Sequence, residues 1–171
     1  DGDQRREEIK KMLSNSSAPL SGSKLGKLLG VSRQVIVQDI ALLRAEGLDI
    51  IATARGYVLY KNTGQNEKRI IMVQHRHEDI EDELNIVVDF GGIIRNVIIE
   101  HPIYGEMEGS MMVVNRQDVQ SFVESIEKFE TYPLMNLTNG IHMHKIEAKD
   151  IKTLDLIEKA LEEKGYLYRG P

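Results

Sequence analysis

Residues Gly140 to His144 read GIHMH, and their alternation is the first place where this chain could do chemistry. Side chains alternate faces along a β-strand, so His142 and His144 would project from one face, about 7 Å apart. Two neighbouring imidazoles are half of a metal site; on a solvated sheet face they would be two polar side chains and nothing more. Two further groups could complete a site. His75 ends the strand-like run IIMVQH, and Glu83 lies in HEDIEDELNIVVDFGG, which reads as a helix stopped by Gly91 and Gly92. At the helical period of ~100° per residue, Ile80, Leu84, Val87 and Val88 form an apolar arc with Glu83 inside it. A carboxylate aimed at a core is costly unless it is paired or ligating.

Three imidazoles and one carboxylate suit zinc first, and also nickel, iron or manganese. With zinc and four protein ligands the tetrahedron is closed, which points to a structural or regulatory ion; an octahedral ion leaves two positions open. His77 could stand in for His75. No HExxH or similar compact motif occurs, so the site depends on how the elements come together.

Those elements read as follows. After IIMVQH and the helix come a strand IIRNVIIEH, a turn at Pro102 to Gly105, a second strand, and a helix capped by Asn115 with Val119, Phe122, Val123, Ile126 and Phe129 at helical spacing. The strand GIHMHKIEA follows, then a helix capped by Asp150, and YLY as a last short strand. The order β-α-β-β-α-β, then α-β, predicts a two-layer α/β sandwich with a mainly antiparallel sheet and helices on one face, ferredoxin-like in its first six elements.

The first third is different in kind. Three short helices (QRREEIKKMLS, SGSKLGKLLG and SRQVIVQDIALLRAEG, the last capped by Ser32) lead into LDIIATARGYVLY, two β-rich runs around an ARG turn. Three helices and then a hairpin is the order of a winged helix-turn-helix, whose third helix enters the major groove. Ser32 opens that helix, and its polar face carries Arg33, Gln34, Gln38 and Arg44, with Arg55 at the wing tip. Arg suits guanine and Gln suits adenine, and either can hold phosphate instead. The whole is therefore an α+β chain of two domains, residues 1–62 and 70–171, joined by a polar linker over 63–69.

Charge divides in the same way. The net charge is −5, but residues 1–62 hold 10 Lys+Arg against 7 Asp+Glu and the remainder 12 against 20, so only the first segment is basic. There is no cysteine, which excludes disulfides and thiolate ligands and fits a reducing cytoplasm. Neither a signal peptide nor a run of 18 apolar residues is present, so a soluble, cytoplasmic protein without membrane contact is expected.

The stretch LSGSKLGKLLGVSRQVIVQDIALLRAEGLDI with RGYVL resembles the winged helix that opens the biotin-ligase repressors and several effector-responsive bacterial repressors. VQHRHEDIEDELNIVVDFGG, VIIEHPIYGEM and PLMNLTNGIHMHKIEA resemble the three-histidine regulatory domain of bacterial niacin-responsive repressors, in which it follows such a winged helix. That resemblance spans nearly the whole chain. It implies repression of niacin-uptake or NAD-synthesis genes, nicotinic acid as co-repressor, a homodimer reading a palindromic operator, and a divalent metal on His75, Glu83, His142 and His144. His101 and Tyr104 of HPIYG would line the pocket, and the loop reads LTNG where the family runs LTGG-like. Nicotinic acid offers a pyridine nitrogen for a metal and a carboxylate needing donors such as Arg95, Tyr104, Thr138 or Asn139.

Two other readings compete: a regulator that senses the metal itself, and an enzyme carrying a DNA-binding arm. The second lacks a glycine-rich adenylate loop and a nucleophile–base pair.

Overall fold

A computed structural model describes residues 1–60, 64–128 and 133–171, so Phe129 of the expected helical face lies outside the described residues. The chain divides into two compact units, Asp1–Asn62 and Thr63–Pro171.

The first unit holds α1 (Gly2–Asn15), α2 (Gly22–Leu29), α3 (Arg33–Ala45), β1 (Ile50–Thr53) and β2 (Gly56–Leu59). Ile9 and Leu13 of α1, Leu25 of α2, and Ile36, Ile40 and Leu43 of α3 close one core. Ser21 and Ser32 start α2 and α3 by accepting from Lys24 N (3.0 Å) and Val35 N (3.3 Å). The turn between them is tight because Gly26 has no Cβ; one built there would lie 2.7 Å from the Val31 carbonyl oxygen. Leu20 pairs with Tyr57, so β2 has a strand partner on each side and the wing is anchored to the chain between α1 and α2.

Asp39, only 2 % exposed on α3, accepts from Arg5 Nε (2.6 Å) and Arg6 Nη1 (3.2 Å) of α1. Burial pushes its carboxyl up, but the hydrogen bonds from the two guanidinium groups outweigh that and hold it below its ordinary value. Asp39→Ala takes the shared carboxylate from both guanidinium groups, leaving Arg6 its contact with Asp3, and is expected to destabilise the first unit by roughly 1–3 kcal/mol at neutral pH. The folded carboxyl is depressed, so this stability is complete above the unfolded value of about 4 and lost as pH falls through the lower folded value. In urea unfolding, parent and variant therefore converge in acid; a difference that stays constant down to low pH would overturn this account.

The second unit is built from β3 (Glu67–Gln74), a 3-10 turn (His77–Asp79), α4 (Ile80–Asp89), β4 (Ile93–His101), β5 (Gly105–Val113), α5 (Arg116–Lys128), a second 3-10 turn (Leu134–Thr138), β6 (Ile141–Ala148) and α6 (Ile151–Glu163). The sheet runs β3-β6-β4-β5 and every pairing is antiparallel. This is an α+β fold with the expected succession of elements. The spatial order differs from a ferredoxin-like sheet: β3 and β5, central there, are the outer strands here. Leu167 of the YLY segment adds one bridge to β3 at Val73.

The linker expected over 63–69 is shorter than its composition suggests. Glu67, Lys68 and Arg69 belong to β3, facing Ala148, Glu147 and Ile146. They are hydrophilic because this end of an outer strand is solvated, and the missing apolar alternation hid the strand.

One sheet face carries Ile71, Val73, Ile94, Val113, Ile146 and Ala148, packed with Leu84 and Val87 of α4, Val119 of α5, and Leu154 and Ile157 of α6. Those helices meet the sheet on this face alone among the described residues; the opposite face carries exposed Ile70 and Met72.

Candidate metal centre and DNA-reading face

His142 and His144 lie on the helix-covered face of β6, opposite Val73 and Ile71 of β3. The two polar groups are therefore not on a solvated surface: His142 is 3 % exposed, His144 2 %, His75 8 % and Glu83 1 %. His75 sits just past the end of β3, and Glu83 reaches in from the first turns of α4. The neighbouring imidazoles stand edge to face, His75 with His142 and His142 with His144, each pair with centroids 4.8 Å apart. His77 is exposed in the 3-10 turn and does not join them.

All three imidazoles are oriented in the same way. Nδ1 of His75 is 2.9 Å from the Arg76 carbonyl, that of His142 is 2.9 Å from the Gly140 carbonyl, and that of His144 is 2.6 Å from the Asn96 carbonyl. A carbonyl only accepts, so each Nδ1 carries a hydrogen and each Nε2 is turned toward Glu83. His75 Nε2 contacts Glu83 Oε2, while His144 Nε2 lies 2.9 Å and His142 Nε2 3.5 Å from Oε1. The ligand atoms of His75, Glu83 and His142 all fall within 4.8 Å of one another. Glu83 Oε1 and His144 Nε2 are buried and make no hydrogen bond among the described residues.

Protons alone fit this cluster poorly. One imidazolium satisfies one carboxylate, but three would bury two uncompensated positive charges. Burial lowers the His142 imidazole against the pull of Glu83, while for His75 contact with Glu83 outweighs burial and raises it. Burial pushes the Glu83 carboxyl up, yet the imidazoles, His144 foremost, hold it well below the usual carboxylate range. Neutral imidazoles would aim their lone pairs at a carboxylate, and a divalent cation turns that repulsion into ligation. Nδ1–H donation to a backbone carbonyl is also the bond by which metal-bound histidines fix their tautomer and ring orientation. The donor set fits a borderline divalent ion.

Gly140, Asn139 and Tyr166 shape the surroundings of the four candidate ligands. Gly140 has φ +83°, and a Cβ there would lie 2.5 Å from the His75 carbonyl oxygen, so glycine lets the start of β6 touch the backbone of a ligand. Asn139, in place of the glycine expected in LTGG-like loops, takes the left-handed conformation that Asn tolerates (φ 54°). Tyr166 meets His75 edge-on, with centroids 5.4 Å apart, and donates to Asp82 at 2.7 Å, so the C-terminal segment lies against the site.

The effector candidates are not brought together. Arg95 donates to Glu147 Oε1 at 2.7 Å, on the sheet face opposite the histidines, because Glu147 is odd in register with His142 and His144. His101 caps its own hairpin, Nδ1 accepting from Ile103 N (3.2 Å) and Tyr104 N (3.3 Å), and Tyr104 is 72 % exposed. Asn139 offers its carbonyl to Gln74, and the Thr138 hydroxyl faces the Ile141 carbonyl. Of these five, only Thr138 lines a cleft of about 240 Å³ that also includes Met72, Ile98, His142, Met143 and Tyr168.

In the first unit, Arg33, Gln34 and Gln38 are exposed along α3. The Ser32 hydroxyl is used as the cap. Arg44 Nε donates to the Ile50 carbonyl at 2.8 Å, tying the end of α3 to the wing. Ala54 and Arg55 form the wing turn between paired Thr53 and Gly56.

Comparison with known proteins agrees with both units. Residues 5–58 match the HTH domain and residues 68–170 the 3H domain. The chain is thus a DNA-binding transcription regulator, not an enzyme. It is 45 % identical over 164 residues to the "Probable transcription repressor NiaR" of Thermotoga maritima, covering 96 % of this chain and 93 % of that one. With the "Transcription repressor NadR" of Bacillus subtilis it shares 40 % identity over 171 residues, covering 98 % and 95 %. It belongs to the NiaR/NadR-type family of transcription repressors.

Proposed function

We propose that this chain is a nicotinic-acid-responsive repressor of niacin-uptake or NAD-synthesis genes, acting as a homodimer on a palindromic operator. A divalent metal held by His75, Glu83, His142 and His144 stands beside its effector cleft. The observation carrying the metal is the shared orientation of the imidazoles, each Nδ1–H on a carbonyl and each Nε2 turned to Glu83. Zinc suits three nitrogens and one carboxylate best. When bound, the ion supplies a Lewis-acidic centre and fixes the start of β6 against α4.

The cleft is below the roughly 300 Å³ of sites for drug-sized ligands, in keeping with one aromatic ring. Thr138 and Tyr168 are the lining residues that bear hydroxyls; the Thr138 hydroxyl is spent on the Ile141 carbonyl, so Tyr168 is the proposed donor to a carboxylate. Arg95 is not among its lining residues, so it is dropped as a donor. An effector that binds one arrangement of the dimer better shifts the population toward the half-site spacing that the operator requires.

Calorimetry with nicotinic acid tests this on metal-loaded and metal-stripped protein. Heat and tighter operator binding are expected only when metal is present. No heat with nicotinic acid, with operator affinity following added zinc or nickel, would favour a metal sensor; the buried grouping of His75, Glu83 and His142 is the observation on that side. For the DNA face, Arg33→Ala or Gln38→Ala should lose roughly 1–3 kcal/mol of specific operator binding. An equal loss on random DNA would make the contact one to phosphate.

A further inference from the structure

The sheet face opposite the helices bears an apolar row across three strands. Met72 pairs with Met143, and Met143 with Ile98; Ile98 is already covered at 5 % exposure, while Ile70 on the same face of β3 is 56 % exposed and Met72 38 %. An antiparallel sheet tolerates one solvated face when that face is polar; large apolar side chains along it mark a surface that something covers. Charge is segregated on either side of the row. Toward one end lie Lys145, opposite Ile70, and the Arg95–Glu147 pair, whose opposite charges cancel. Toward the other lie Glu100 and Glu106, paired with each other, and Glu108, opposite Ile98; all three are exposed.

We infer that this face, centred on Met143, is where a second copy of the chain docks. A two-fold axis lying in the plane of the face, across the line from the basic to the acidic end, sets each copy's Lys145 against the other's Glu100 and Glu106. It also stacks the apolar rows. The charge pattern is self-complementary under that operation, as an isologous contact requires. Four strands about 4.8 Å apart and roughly 27 Å long make a face of about 500 Å² per copy, about 1,000 Å² for the pair, near the least that a specific interface buries. Met72, Ile98 and Met143 also line the effector cleft, so the second copy roofs it and the effector is enclosed only in the dimer. The occupant rests on the homodimer proposed above; the face rests on the sheet itself.

Light scattering on the size-fractionated full chain tests both. Lys145→Glu makes the face acidic at both ends, and Glu100→Lys with Glu106→Lys makes it basic at both. At a concentration where the parent chain runs as a dimer, each variant alone should dimerise at least 10-fold more weakly, and mixing the two should restore the dimer mass. A monomeric parent would overturn the dimer. A dimeric parent with unaffected variants would overturn this face and leave the dimer standing. Variants that are monomeric both alone and mixed would overturn the charge pairing.

Discussion

Replacing His142 and His144 together with alanine is expected to abolish stoichiometric metal binding while leaving the first unit folded. Losing even the hydrogen-bond partner of a metal ligand costs about 10–100-fold in affinity, so losing two imidazoles that would hold the ion themselves should cost well over ~10³-fold. Added zinc, at about 1,000 times the dissociation constant, stabilises a one-site protein by roughly 4 kcal/mol; the variant should lose that metal-dependent rise in unfolding temperature. Glu83, 1 % exposed, would keep only His75 as partner among the described residues, so the metal-free second unit should itself weaken. Elemental analysis decides the matter: full metal occupancy in the double variant would place the ion elsewhere.

Gly140→Ala should be nearly as damaging without touching a ligand. Its φ is +83°, and the new Cβ would lie 2.5 Å from the backbone oxygen of His75. Backbone strain and the forced separation of β6 from His75 together should cost about 2–4 kcal/mol of second-unit stability and weaken metal binding. Gly91→Ala is the control. Its φ is +88°, but nothing lies within 4 Å of the added atom, so it carries the conformational cost alone. If the two variants unfold at the same urea concentration, the close approach at Gly140 is unimportant.

The parts of this protein readable from its sequence are those set by near neighbours. Ser21, Ser32, Asn115 and Asp150 each cap the helix that follows, and the apolar spacing of Ile36, Ile40 and Leu43 places the core side of α3. The inward direction of Glu83 follows from helical phase alone, because α4 is regular through Val88. Leu42 departs from this: helical spacing counts it among the apolar positions of α3, yet it is half exposed.

What was hidden depends on partners far along the chain. The alternation of β4 cannot assign Arg95 to a face, since its register against β6 shifts between Ile94 and Ile98, and its partner Glu147 is 52 residues away. HPIYG has the look of a pocket because it holds a histidine and a tyrosine, yet His101 spends its acceptor on its own turn. YLY reads as a short strand, but nothing local says that Tyr166 and Tyr168 land on the edge of β3, since that pairing forms only once the C-terminal segment has returned to the sheet.

The depth of the histidine cluster also bears on time. Every proposed ligand is at most 8 % exposed, with Tyr166 packed over His75. An ion held there could leave only when the β3–β6 end opens, so its exchange would run at the slow rate of local opening, whatever the concentration of a competing chelator. Such an ion is a resident that outlasts many encounters with a small molecule. The message that changes from minute to minute would have to come through the cleft.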